Sequence, residues 1–239
     1  MRTFKTALVT GGAQRIGQAI CLHLAAGGYG IALHYHRSAK AAQATALRIR
    51  KAGGHCEIFG CDLADARAAQ KLVPAVKKKL PGLDLLVNNA SIFEKSTLAQ
   101  PGLSAFDRHW AINFRAPYIL SRHFARSCPK GHIINILDTN ITKYKTSYFD
   151  YLLTKKTLAE FTQLAAVELG PRIRVNGIAP GLILPPAGQG ERYLQKRARR
   201  IPLRKKGNSD AVLKSLDFLL TNSYVTGQIV FADGGEALV

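Results

Sequence analysis

Tyr151 and Lys155 stand four residues apart. In a helix that spacing puts both side chains on one face. A phenol ionises near pH 10, so it shuttles protons poorly at neutral pH unless tuned. A nearby ammonium stabilises phenolate and lowers that pKa, which makes the two a workable acid/base pair. On spacing alone the same pair is also a common surface motif. Asp138 lies upstream, just past an Ile-rich run. A carboxyl group accepts hydrogen bonds when ionised and donates only when protonated. Two roles are open to it: helping Tyr151 protonate a ring nitrogen, or capping the turn of Asp138, Thr139 and Asn140.

A second chemical signal lies near the start. Residues 10–17 read T-G-G-A-Q-R-I-G, behind the apolar run Ala7, Leu8, Val9. Ile16, Ile20 and Leu24 follow at helical spacing. A strand, a glycine turn and a helix let backbone N–H groups and the helix's positive end hold a phosphate. Gly11 and Gly12 can take positive φ, and Gly17 permits a close backbone approach. By itself the turn is as consistent with a plain connection. After the second strand the chain reads His34, Tyr35, His36, Arg37, Ser38, with no acid. NAD-preferring folds of this kind place an acid there for the ribose 2′-hydroxyl. The fork of Arg37 suits a 2′-phosphate instead, so NADP is favoured over NAD. The plainer alternative leaves Arg37 as a solvated loop residue. With no third ligand nearby, His34 and His36 are read as no metal site.

Alternating elements must position these groups. Strands are predicted over residues 6–10, 30–35, 55–60, 83–88, 131–137, 173–179 and 228–231. Helices are predicted over 16–26, 39–52, 66–80, 104–126, 149–169, 191–200 and 209–220. Short β-α links imply a Rossmann-like, doubly wound parallel α/β sheet covered on both faces, in one domain over residues 1–239. Ligands then bind beyond the carboxyl ends of the strands. The irregular stretch 180–202, with Pro185, Pro186, Gly188 and Gly190, is expected to be a substrate lid.

The bulk numbers bound the alternatives. The 239 residues are 47% hydrophobic, enough for a large core and too apolar for disorder. No apolar run approaches the roughly 20 residues of a membrane helix, and the basic start lacks a signal-peptide core. A cytoplasmic protein is expected. The four cysteines show no metal or redox spacing and are expected as buried free thiols. The net charge of +19 admits nucleic acid, or an anionic cofactor on a generally basic surface. No acid precedes Glu57, and the glycine turn lies inside that segment.

In order, Thr10-Gly11 with Arg15-Ile16-Gly17, then Asn88-Asn89-Ala90, Asn113, Tyr151 with Lys155, and Pro180-Gly181 resemble the motifs of the short-chain dehydrogenases/reductases. The resemblance spans nearly the whole chain, through Asp233-Gly234-Gly235. It implies that Tyr151 is the proton donor, that Lys155 binds the nicotinamide ribose and tunes Tyr151, and that Asn113 supports a proton-relay water. Arg15 stands where the family has a glycine, and Asp138 where most members have a serine. Both departures look like the pteridine reductase branch, as do residues 34–38 and the run Asn88 to Phe93. In that branch Phe93 would stack a pterin against the nicotinamide. Arg15 would contact cofactor phosphate and pterin, with Ser91 near both. The resemblance places NADPH/NADP along Gly11, Arg15, Ile16, Gly17, His36, Arg37, Ser38, Asp62, Leu63, Asn89, Ala90, Ser91, Tyr151, Lys155, Pro180 and Gly181. It places the pterin or folate substrate among Arg15, Ser91, Phe93, Asp138 and Tyr151. Many members carry a Thr soon after Pro-Gly; here Leu182, Ile183 and Leu184 follow. A homotetramer built on helices 104–126 and 149–169 is implied too.

The leading expectation is therefore an NADPH-dependent pteridine reductase. One rival is a carbonyl or quinone reductase of the same family. The other is a non-catalytic nucleotide- or nucleic-acid-binding protein on this fold, motivated by the basic clusters at 196–200 and 204–206. The intact Tyr151 and Lys155 pair argues against that last reading.

Overall fold

The computed structural model describes residues 5–99, 102–144, 146–184 and 190–239. The expected lid residues 185–189 lie outside the described residues, as does the basic start at 1–4. Seven strands form one parallel sheet in the order β3-β2-β1-β4-β5-β6-β7. They are β1 (Thr6–Val9), β2 (Gly30–Tyr35), β3 (Cys56–Gly60), β4 (Leu83–Asn88), β5 (Gly131–Ile136), β6 (Ile173–Pro180) and β7 (Ile229–Ala232). The strand order reverses between β1 and β4, which opens a crevice beyond their carboxyl ends.

The strands alternate between two apolar layers. Ala7 and Val9 of β1 join a core with α1 (Arg15–Ala26), α2 (Ala39–Lys51) and α8 (Ser209–Thr221). Leu8 turns to the opposite face, where α3 (Ala66–Lys79), α5 (Ala116–Ser127) and α6 (Phe149–Leu169) close over it. Burial on both faces explains why the strands read as continuous apolar runs.

The expected helix over 104–126 is helical throughout but carries a π-helical insert. It runs as α4 (Ser104–His109), a π-helical turn (Trp110–Arg115) and α5. Pro117 lacks the N–H that would close an α-turn on the Asn113 carbonyl, so the ladder is interrupted there. Of the remaining elements, α7 (Glu191–Ala198) follows the expectation, and short 3-10 turns cover Thr139–Thr142 and Glu236–Leu238. All four cysteines are free; Cys21, Cys56 and Cys128 are buried, whereas Cys61 is half-buried. Among the described residues no helix is long and apolar enough to cross a membrane.

Candidate active site

The glycine turn is built for close contact. Gly11 has φ +64°, and a Cβ on Gly17 would lie 2.2 Å from the Gly11 carbonyl oxygen. The turn is tied down from both neighbouring strands. Thr10 Oγ1 accepts from the N–H groups of Asn89 at 2.9 Å and Ala90 at 3.0 Å. Asn89 Nδ2 returns a bond to the Thr10 carbonyl at 2.9 Å. On the other side His34 Nδ1 accepts from the Gly11 N–H at 3.2 Å, while its Nε2 meets the Cys61 carbonyl at 3.1 Å. Burial pushes His34 down to about 4, against the pull of that carbonyl, so the ring is neutral at pH 7. Both ring nitrogens are engaged, and His34 is a brace for the turn. Sequence reasoning missed this role.

α1 begins without a side-chain cap and without an acid in its first turn. Its leading N–H groups and positive end therefore face a cavity of about 600 Å³. Gly11, Arg15, Ile16 and Gly17 line one wall of that cavity. His36, Arg37, Ser38 and Asp62 line the end beside β2, and Asn89, Ala90 and Ser91 the β4 side. The uncapped helix, the glycine closeness and a β2 end without an acid fit a dinucleotide with an extra phosphate. His36 and Asp62 lie 3.6 Å apart at the cavity's rim. The Leu63 side chain is buried in the α3-side core, and the neighbouring Ala64 lines the cavity. Arg15 has φ +54°, a left-handed backbone ordinarily taken by glycine.

A second cavity, of about 280 Å³, adjoins the first. Arg15, Ile16, Asn89 and Ser91 border both. Phe93, Asp138, Tyr151, Lys155, Pro180 and Gly181 complete it. The end of β5 leads to Asp138, and the four-residue spacing of Tyr151 and Lys155 on α6 brings both to the same side. Gly181 must be small, because a Cβ there would meet Asp233 Cβ at 2.6 Å.

Asp138 fills both roles left open by its sequence. Its Oδ1 accepts from the N–H of Asn140 at 2.7 Å, capping the 3-10 turn. Its Oδ2 accepts from the Tyr151 hydroxyl at 2.7 Å. Lys155 Nζ donates to the Ile136 carbonyl at 2.7 Å and lies 5.9 Å from the centre of the Tyr151 ring. This corrects the expectation that the ammonium lowers the phenol's pKa. Burial, then the charge of Asp138, then the hydrogen bond to it hold Tyr151 well above its ordinary value. Burial brings Lys155 down to about 8, with Asp138 opposing. The phenol is therefore a proton holder, poised to donate only when a stronger acceptor arrives.

Asn113 lines neither cavity, and its side chain is fully engaged behind them. Its Oδ1 accepts from the Ile92 N–H at 2.9 Å and the Ser91 hydroxyl at 3.1 Å. Its Nδ2 donates to the Ile92 carbonyl at 3.0 Å and Thr154 Oγ1 at 3.3 Å. Thr154 Oγ1 in turn donates to the Tyr151 carbonyl at 2.7 Å. Asn113 thus ties the loop carrying Ser91 and Phe93 to α6. Phe93 is 45% exposed and stacks on Tyr148 at 4.2 Å between ring centres, with an interplanar angle of 9°. It meets Tyr151 edge-on at 4.6 Å. Tyr148 was not singled out from the sequence, although it sits one helical turn before Tyr151. Arg197 and the buried Glu236, 2.6 Å apart, form a further wall that only the fold brings here.

A family model described as Enoyl-(Acyl carrier protein) reductase matches residues 11–236. A solved FolM alternative dihydrofolate reductase 1 from Brucella suis, in complex with NADP, is 33% identical, with a TM-score of 0.95 over 100% of this chain and 97% of that one. NADPH-dependent aldehyde reductase 1 of Arabidopsis thaliana is 32% identical over 98% of this chain and 86% of its own length. Pteridine reductase 1 of Leishmania tarentolae is 30% identical over 99% of this chain and 97% of its own.

Proposed function

The chain belongs to the short-chain dehydrogenase/reductase family, and from that premise we propose that it is an NADPH-dependent reductase of dihydropteridines, either a dihydropterin or dihydrofolate. The observation that carries this reading is the 2.7 Å bond between the Tyr151 hydroxyl and Asp138. Reducing a simple carbonyl needs only a neutral donor aimed at one oxygen. A carboxylate on the phenol adds an acceptor beside the donor, which suits a flat heterocycle carrying ring nitrogens and N–H groups. The exposed ring of Phe93 supplies an aromatic face for such a ring. The NADP complex of the Brucella relative and the pteridine reductase relative support the same reading.

When bound, NADPH supplies a hydride to a ring carbon of the substrate. Gly11, Ile16, Gly17, Asn89, Ala90, Pro180 and Gly181 hold its backbone-facing surfaces, and Asp62 closes the far end. Arg37, with His36 and Ser38, holds the 2′-phosphate. Lys155 keeps two N–H donors for the ribose, since one already goes to the Ile136 carbonyl. Arg15 and Ser91, which border both cavities, would contact the phosphates on one side and the pterin on the other. Tyr151 gives its proton to the ring nitrogen next to the reduced carbon, and Asp138 orients the hydroxyl until it does. Burial and the charge of Asp138 keep the Tyr151 phenol protonated, so the hydroxyl carries the proton that reduction consumes. The exposed apolar side chains Leu164 and Val167 on α6, 70% and 85% accessible, favour burial of that face in a homotetramer.

Purified protein, NADPH and a dihydropterin should show loss of nicotinamide absorbance, faster than with small ketones or quinones. Replacing Asp138 by Ser should lower pterin turnover by one or more orders of magnitude. Absence of NADPH oxidation with every pterin and folate tested removes the substrate reading. Turnover of ketones alone would establish the carbonyl reductase, the reading favoured by the Arabidopsis relative.

A further inference from the structure

Beyond the reaction pocket lies a third cavity, of about 870 Å³, larger than the other two. It is not separate. Tyr193, Arg197 and Glu236 border both it and the reaction pocket. Tyr148 lines it as well and stacks on Phe93 at 4.2 Å, so an aromatic track runs from one cavity into the other. Among the described residues its charged side chains are one-sided, Lys143, Lys196, Arg197 and Arg200 against Glu236, with the α-carboxylate of Val239 also on the wall. Arg197 is committed to Glu236 at 2.6 Å. Among the described residues, Lys143, Lys196 and Arg200 have no acidic partner within 4.0 Å. Glu236 brings a second, independent feature. It is 5% exposed, and its Oε2 is buried without a hydrogen-bond partner on the shared wall.

We propose that this cavity is a subsite for an amide-linked, polycarboxylate tail on the substrate, the γ-glutamyl chain of a folate. The inference rests on the pteridine reading above and goes further, because it selects among the pteridines. The chemistry matches group by group. The three unpaired cations take carboxylates. The orphaned acceptor of Glu236 takes the N–H of an amide that crosses from one cavity to the other, relieving a group that is costly to leave unmade. Tyr148 carries the aromatic spacer between ring and tail. A tail-free pterin uses none of these groups. The step is binding alone and changes no covalent bond.

The test uses the full chain with NADPH and three substrates: a tail-free dihydropterin, dihydrofolate with one glutamate, and dihydrofolate with three or more. At low salt KM should fall along that series, by roughly tenfold from the first to the last, with kcat nearly constant. Exposed charge pairs are individually weak, so the gain is cumulative. It should shrink toward nothing near 1 M salt, where the Debye length is about 3 Å. The combined variant Lys143→Gln, Lys196→Gln, Arg200→Gln should flatten the series while leaving the tail-free substrate unchanged. Equal KM values for all three substrates in the unaltered protein overturn the subsite and leave the reductase standing. So does a combined variant that weakens all three substrates equally. No NADPH oxidation with any of the three removes the pteridine reading, and this subsite with it.

Discussion

Arg15 should make stability and function move in opposite directions. Its φ of +54° lies in the left-handed region. That conformation costs a residue with a Cβ roughly 1–2 kcal/mol. Glycine escapes this cost but loses about 0.5–1 kcal/mol more chain entropy on folding. Two variants separate the backbone from the guanidinium. Arg15→Ala and Arg15→Gly both remove the side chain, with whatever it contacts, and only the second relieves φ. The glycine variant should therefore be the more stable of the two by about 1 kcal/mol, or about 2–4 °C in Tm for a chain of this size. Both should lose binding alike. A charge-assisted hydrogen bond contributes about 1.5–3 kcal/mol, so KM for NADPH or for the dihydropterin should rise between about tenfold and a hundredfold. Urea or thermal melts without cofactor give the first quantity, and steady-state kinetics the second. An alanine variant as stable as the glycine variant would refute the strain argument. Unchanged KM values in both would refute the role of the guanidinium.

Four other outcomes are expected. Below pH about 8 Lys155 is an ammonium, so kcat/KM should decline as pH rises past that value; a profile flat to pH 10 would contradict this. Because its folded pKa is lowered, the unfolded chain binds the extra proton between about 8 and 10.5, so stability should rise with pH across that window and Lys155→Met should lose the rise. His34 is buried as the neutral ring and titrates at about 4, so stability should fall as pH drops from 6.5 toward 4, by up to about 3 kcal/mol from this residue; a His34→Gln variant with the same acid sensitivity in melts would show the loss to come from elsewhere. Gly17→Ala forces a Cβ to within 2.2 Å of the Gly11 carbonyl; a destabilisation above about 2 kcal/mol or a lost NADPH interaction is expected, and a variant native in both melts and KM would show that the turn can yield.

The β-α alternation was legible because strands buried on both faces and helices with one apolar stripe carry different periods. So were the residues that meet around the reaction pocket, since strand ends gather there whatever their spacing in the chain. The π-helical insert ahead of Pro117 was not read from the sequence, because the residues from 104 to 126 are helix-compatible throughout. What sequence could not carry was side-chain direction. Helical spacing of Tyr151 and Lys155 says that they share a face, and not that Lys155 turns to the Ile136 carbonyl while Asp138 takes the phenol. The bracing by His34 and the wall of Arg197 and Glu236 depend on tertiary neighbours 23 or more residues away. Leu63 sits next to the lining residue Asp62 yet faces the core, a difference of one position that periodicity does not resolve in a loop.

The knot between Thr10 and Asn89 joins points 79 residues apart. Until β4 docks beside β1, the glycine turn has no second wall and the crevice does not exist. A chain in which only the first β-α-β unit has formed lacks that second wall. Once the sheet is complete, ligand drains population toward it by mass action. In a cell rich in the dinucleotide, the finished molecule would be held against unfolding, and half-built chains would be left to the proteases.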